Sequence, residues 1–489
     1  MKLNLILLIT MLFAGIISAQ PAFRGDSLIS ITNLKTHLER LAGDSLRGRA
    51  TASNDEKRAA LYIAEQMKSL GAEPLLGNSF IQTFQLEAFT MSPESRLSFL
   101  SGGKEIEGLK IYDNYFFLKG YVKGKIDTTL DLVYAGYGIR EEGIDDYKDL
   151  EVKGKIVLVK GGMPSDIKAR NTLVSKGITP DMAFKIRAAQ RLGALGIVIV
   201  TDSANTADWD RMMLRGIRPQ HRFPGTAPKG SFLAALIRPE AFSKFVEPSL
   251  SHLKVNVNSS LKTEIVNSYN AVGLLKGTDP ALKDEFVVVG AHHDHLGVID
   301  GKIYNGADDN LSGVTSVLEI GRILKKLHEN KRSVILISHG SEEALMLGSE
   351  YFTNHFDRIN NISAMVNIDM VGRENRDTIY PIGSARLGNE MRKILEETNN
   401  ETVKFALNYK FDDPHDPDRM YYRSDHYSYA QKGIPVVFFY DYMLKDYHKA
   451  TDDIERIDYQ KVAKIVELSY KMILKIANMP HKVIPQSRL

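Results

Sequence analysis

Three histidines and an aspartate crowd into His292 to His295 of GAHHDHLG, directly after the apolar run FVVV. Titratable groups at the end of a buried strand are costly unless something pairs with them. The same setting recurs along the chain. SVILIS is followed by His339, Glu342 and Glu343, SAMVNI by Asp369, and IPVVFFY by Asp441 and then His448. GADDN, 306–310, leads into a helical pattern. Imidazoles with several carboxylates and no cysteine make a zinc-compatible donor set. Bridging carboxylates are also what two-metal hydrolytic sites use. His292 and Asp294 are two apart, so on a strand they point to one side. The carboxylate is then placed to hydrogen-bond the imidazole from behind.

Bringing these groups together requires a sheet. From residue 269 onward strand and helix patterns alternate. FVVVGAH, SVILISH, SAMVNIDM and IPVVFFY read as strands. SGVTSVLEIGRILKKL reads as a helix with Val314, Val317, Leu318, Gly321 and Leu324 inward, and YQKVAKIVELSYKMILKIA as a closing helix. Continuous apolar strands alternating with helices predict an α/β fold, a largely parallel mixed sheet flanked by helices. Ligands bind outside the carboxyl ends of such strands, where the acids and histidines fall. Near the start, Ile31, Leu34, Leu38 and Leu41 have helical spacing. SNDE reads as a capping box opening the helix AALYIAEQMKSLG. FIQTFQLEAF is the first strand. Between 112 and 268, the β runs TLDLVYAGYG, GKIVLVKG and GIVIVTD and the amphipathic DMAFKIRAAQRLGALG indicate a small β-rich α/β insert. Residues 204–230, rich in Arg, Pro and Gly, read as a loop.

A chain of 489 residues accommodates two or three domains. The expected division is a signal peptide at 1–19, an N-terminal part of the main domain at 20–111, the insert at 112–268 and the main domain at 269–489. Lys and Arg total 63 against 60 Asp and Glu with no basic cluster, so nucleic acid is not an expected partner. The absence of cysteine excludes thiolate chemistry. MKLNLILLITMLFAGIISAQ has one Lys, an apolar stretch over 3–17 and ISA before Gln20, the pattern of a secretory signal cleaved after Ala19. That stretch is shorter than the ~20 residues that span a bilayer, and no later segment reads as a span. An exported protein, periplasmic or secreted and without stable membrane insertion, is expected.

GAHHDHLG, NGADDNLSG, SEEALMLGSEYF, NIDMVG and YHKATDD occur in this order. Together they resemble the motifs of the di-zinc aminopeptidase and glutamate carboxypeptidase II-like exopeptidases. The resemblance is strong over 269–475 and weak over 30–110, through GDSLRGR and the helix after it. LVYAGYG, LEVKGKIVLV and AAQRLGALGIVIV resemble the protease-associated domain that such enzymes often carry.

The resemblance implies the zinc exopeptidase fold, two Zn²⁺ per chain and peptide substrates. Carried over motif by motif, His292 and Asp369 would hold one zinc, Glu343 and His448 the other, and Asp309 both. A cis peptide would follow Asp309. Glu342 would be the general base and Tyr447 an oxyanion donor. Asp294 would stand behind His292, while Asp452 would orient His448 or cap the next helix. SDHYSYAQKGIP resembles the family's substrate-pocket segment, which makes Ser424, Asp425 and His426 pocket candidates. Arg373 and Arg423 are candidates for a cationic clamp. His293 and His295 read as structural groups or rim. The acidic stretch 411–419 reads as a solvated loop, a rim for cationic N-termini or a Ca²⁺ site.

The function expected is that of an exported zinc aminopeptidase. Other outcomes of the same fold are a carboxypeptidase or dipeptidase, a one-zinc glutaminyl cyclase, or a non-enzymatic binding module as in the transferrin receptor. The insert is expected to bind substrate or protein.

Overall fold

The computed structural model describes residues 28–122, 125–175, 181–202, 206–230, 232–247, 253–373, 375–442 and 445–485. The expected signal peptide lies outside them. Among the described residues, no helix is long and apolar enough to cross a membrane.

The longer strands of the main sheet are β1 (Ile81–Met91), β2 (Leu253–Leu275), β3 (Phe286–His292), β4 (Ser333–His339), β5 (Ile362–Ile368), β6 (Thr378–Ile382) and β7 (Val436–Tyr440). They lie in the order β1-β2-β4-β3-β5-β7-β6. The central β4, β3, β5 and β7 are mutually parallel. The antiparallel β2 and β6 flank them. Every residue of the four parallel strands is buried, which is why they read as unbroken apolar runs. β4 and β5 lie on opposite sides of β3, so the strand order reverses there. A crevice therefore opens at the carboxyl end of β3, and His292 is its last residue.

Helices cover both faces. Gly313–Leu327 and Tyr459–Asn478 pack with Ile31–Ala42 and Asn54–Ser69 over one apolar cluster. Leu34, Leu38 and Leu41 face it at helical spacing. Ser53 caps the second helix by accepting from the Glu56 N–H at 3.2 Å. The buried Glu56 carboxylate does not close the box on Ser53. It accepts instead from the Ala52 N–H at 2.8 Å and the Ser268 hydroxyl at 2.6 Å.

The insert has its own sheet. Lys125–Tyr134, Ile156–Lys160, Gly196–Val200 and Leu233–Ile237 run parallel in that order, and Tyr115–Phe117 closes the far edge antiparallel. Apolar clusters fill both faces. β2 ties the two units together, because its first half pairs with Arg96–Ser101 and Lys125–Tyr134 and its second half with β1 and β4. The division expected at 268 lies inside this strand, and Arg96–Ser101 precedes the start expected at 112.

The stretch 204–230 differs from the expected loop. Thr206–Ile217 is a helix, and Gln220–Arg222 pairs antiparallel with β1. The spacing of Trp209, Met212, Met213 and Gly216 puts them on one helical face. Trp209 meets Phe116 edge-on, with ring centroids 5.1 Å apart. That face is stable only against the insert's sheet, so local composition hid it.

Candidate metal centre

β3 delivers His292 to the crevice floor, where it is 1% exposed. Its Nδ1 lies 3.1 Å from the Asp294 carbonyl oxygen and 3.8 Å from the Asp294 carboxylate. The backbone carbonyl, rather than the side chain, stands behind the ring and directs Nε2 outward. The Asp294 carboxylate holds the next loop instead. It accepts from the backbone N–H of Glu342 (2.9 Å) and Glu343 (3.3 Å) and from the Thr51 hydroxyl (2.6 Å).

Asp309 sits in the turn before Gly313–Leu327, and its peptide bond to Asn310 is cis. Asp452 fixes this turn by accepting from the backbone N–H of Asp308 and Asp309, and it pairs with Arg373. Asp452 thus supports Asp309; among the described residues, no bond joins it to His448. Asp369 directly follows β5 and accepts from the Ser424 hydroxyl at 2.6 Å, and Ser424 accepts from Asn367. His448 arrives on the loop after β7 with φ 55°, a conformation that non-glycine residues adopt chiefly where their surroundings impose it. The Tyr447 ring stacks on it, with centroids 3.8 Å apart.

The five residues His292, Asp309, Glu343, Asp369 and His448 come together. His292 Nε2 lies 3.3 Å from Asp309 Oδ1 and 3.5 Å from Asp369 Oδ1. His448 Nε2 lies 3.4 Å from Asp309 Oδ2 and 3.3 Å from Glu343 Oε1. Ligands about 2.0–2.1 Å from one tetrahedral ion are about 3.3–3.4 Å apart. Asp369 Oδ1 and His295 Nε2 are buried without a hydrogen-bond partner among the described residues. Such orphaned atoms and these separations fit zinc. Two donor groups share Asp309: His292 with Asp369, and His295 with Glu343.

Burial drives the Glu342 carboxyl well above the usual range, and the neighbouring carboxylates add to this against His292. Burial acts on Glu343 in the same direction, but His448 and His295 outweigh it and hold this carboxyl well below the usual range. Two adjacent glutamates thus differ in their hold on a proton.

A cavity of about 320 Å³ opens over the cage, and Glu342, Met370, Phe438, Arg423, Tyr447 and Arg215 are among its lining residues. Ser424, Asp425 and His426 are buried behind this wall, with the His426 ring stacked on Phe438. Arg373 faces away from it, bound to Asp452 and to the Asp453 carbonyl. His293 is buried against Ser338, and His339 meets the Tyr429 hydroxyl. In the acidic stretch 411–419, Asp412 binds Arg392 and Arg386, and Asp416 accepts from the backbone of Asp418 and Met420. Those acids are consumed internally.

Sequence reasoning missed three residues here. His295 Nδ1 lies 2.9 Å from Glu343 Oε1, so the third histidine of GAHHDHLG belongs to the cage wall. Arg49 of GDSLRGR is fully buried and donates to the carbonyls of His293, Leu41, Asn305 and Gly306, tying three segments together. Its burial pushes the guanidinium down to about 10. Arg215 reaches the cavity from the insert. An arginine in a Gly-rich motif is a weak signal, and nothing local marks Arg215.

A cage of histidines and carboxylates at the switch point of a mixed α/β sheet, with paired glutamates at the next strand end, is a layout suited to metal-assisted hydrolysis. Residues 270–473 match peptidase family M28, and residues 128–235 match the PA domain. A curated relative, aminopeptidase NAALADL1 of Rattus norvegicus, is 33% identical over 139 residues, 27% of this chain and 15% of that protein. The chain spans less than two thirds of the first curated relatives it matches, at 64% and 15%. In fold, the chain is similar to an aminopeptidase from Aneurinibacillus sp. strain AM-1, with TM-score 0.65 and 21% identity over 95% of this chain and 97% of that one. It is also similar to a zinc aminopeptidase from Bacillus subtilis, with TM-score 0.58 and 19% identity over 91% and 95%. The M28 match thus falls on the main sheet from the end of β2 onward, and the PA-domain match falls within the insert.

Proposed function

We propose that this protein is an exported aminopeptidase with two zinc ions, which removes N-terminal residues from peptides. One observation carries the reading: the two carboxylate oxygens of Asp309 face two different histidines, Oδ1 toward His292 and Oδ2 toward His448. His292 and Asp369 would hold one ion, and Glu343 and His448 the other, with Asp309 shared. When bound, the ions supply Lewis acidity toward a peptide carbonyl and lower the pKa of water.

Every other task falls to the chain. Glu342 lines the cavity with a carboxyl that burial makes a stronger base than its neighbour. It would take a proton from the attacking water and deliver it to the leaving amine. The Tyr447 hydroxyl would donate to the developing oxyanion, and Arg423 donates to that hydroxyl at 3.4 Å. Asp294 would keep Glu342 and Glu343 in place through their backbone. Export and the division at 20–111, 112–268 and 269–489 belong to the same proposal, in which Ser424, Asp425 and His426 would back the pocket wall rather than line it. The names of the relatives support the aminopeptidase choice. The commitment of Arg373 to Asp452 counts against that arginine as a carboxylate clamp.

Two measurements test the reading. Metal analysis should find two zinc ions per chain. A peptide with a free N-terminus should be cleaved while its N-acetylated form is not. Cleavage of the blocked peptide alone would establish a carboxypeptidase instead.

A further inference from the structure

The cavity over the cage continues into the insert. It shares Arg215, Glu343 and Leu345 with a second cavity of about 420 Å³, lined also by Phe89, Arg218 and His221. Both volumes are in the range of small-ligand sites. The basic wall comes from Thr206–Ile217 and the residues that follow it.

That wall is held from both sides. Trp209 packs on Phe116, and the Arg238 guanidinium covers the Trp209 ring at 4.7 Å. Gly216 lies so close to Phe116 that an added Cβ would meet its ring at 2.9 Å. Lys119 donates to the Arg218 carbonyl. Gln220–Arg222 then joins β1, where Arg222 grips Glu87 through two hydrogen bonds of 2.8 and 3.0 Å. A segment fixed this way presents its remaining side chains at little further entropic cost.

Arg222 is thus occupied. Arg215 and Arg218 are not: among the described residues, neither guanidinium has a hydrogen-bond or ion-pair partner. Neither lies within ion-pairing distance of a cage carboxylate, although Glu343 and Asp309 are near enough to act on Arg218. Two cationic forks line a cleft that begins at the cage, and guanidinium matches carboxylate geometrically.

We propose that Arg215 and Arg218 form a subsite for a substrate carboxylate beyond the scissile bond, so that short peptides with a free C-terminus are preferred. This rests on the aminopeptidase reading. The carboxylate has two sources, the C-terminus or an acidic side chain next to the cleaved residue.

The test compares Ala-Ala-Ala, its C-terminal amide and Ala-Glu-Ala amide on the zinc-loaded full chain. Wild type should favour the free acid over the simple amide by roughly tenfold, mainly through KM. Arg218→Ala and Arg215→Ala should bring that ratio close to one, and Arg218→Lys should retain part of it. Rescue of the amide by glutamate would assign the carboxylate to a side chain and still support the subsite. Equal use of acid and both amides by wild type would overturn it. So would arginine variants that lose zinc with the acid-to-amide ratio intact, because the arginines would then only balance the charge of the cage. The same ratio can be read without turnover, from calorimetric binding of the three peptides to zinc-loaded Glu342→Gln. Wild type that cleaves none of them would sink the aminopeptidase reading, while the binding ratio still decides the subsite.

Discussion

The carboxylate of Asp294 accepts the backbone N–H of Glu342 at 2.9 Å, joining the end of β3 to the turn after β4. The same carboxylate takes the Glu343 N–H and the Thr51 hydroxyl. One side chain thus sets the position of both glutamates relative to His292. Asp294→Asn offers an amide where an N–H now donates. Zinc affinity and kcat are expected to fall by about 10–100-fold each, read by competitive chelation and by steady-state kinetics.

Glu342→Gln preserves the volume of the side chain and removes its base. Both zinc ions should remain, and kcat should drop by about 10²–10⁴-fold. Near-normal turnover in this variant would remove Glu342 from the role of general base.

Asp309 is the hinge of the two-ion reading. Asp309→Asn is expected to lower bound zinc below two per chain, measured by elemental analysis after dialysis. Stripping the wild type with a chelator should lower Tm, because ions that bind only the folded chain stabilise it by mass action. Added zinc should restore the original value.

His295→Gln separates cage wall from rim. The His295 ring is fully buried with Nδ1 2.9 Å from Glu343 Oε1. If it positions that carboxylate, zinc affinity should fall by about 10–100-fold while the secondary structure seen by circular dichroism stays constant. An unchanged zinc titration would make His295 a packing residue only.

Arg49→Met tests the buried clamp. Four backbone carbonyls lose their donor, so unfolding in urea is expected to show a loss of at least about 3 kcal/mol. The free N-terminal segment would also release the loop 305–306, so zinc affinity should fall with stability.

Much of the cage was legible because the strands that carry it are buried on both faces. Burial on both faces forces apolar runs, and polar residues stand out where each run stops. His292, Glu342, Glu343 and Asp369 could therefore be located from local pattern. Asp309 and His448 lie on loops and needed the order of the motifs. Ser424, Asp425 and His426 follow a motif too, yet the fold puts them behind the cavity wall, since spacing along the chain carries no information on which side of a sheet a loop closes. The helix Thr206–Ile217 escaped notice because its apolar face is short and its partner, Phe116, lies about ninety residues upstream.

Residue types and their order determined by themselves that this chain has an α/β sheet with acids and imidazoles at its strand ends, a donor set suited to zinc, and an inserted second unit. Only the tertiary structure decided that Asp294 serves the backbone of Glu342, that Asp452 serves the Asp309 turn, and that Arg215 overlooks the cage from another domain. Those relations depend on hydrogen bonds and packing between segments far apart in the chain, and such contacts exist only once the sheets are assembled.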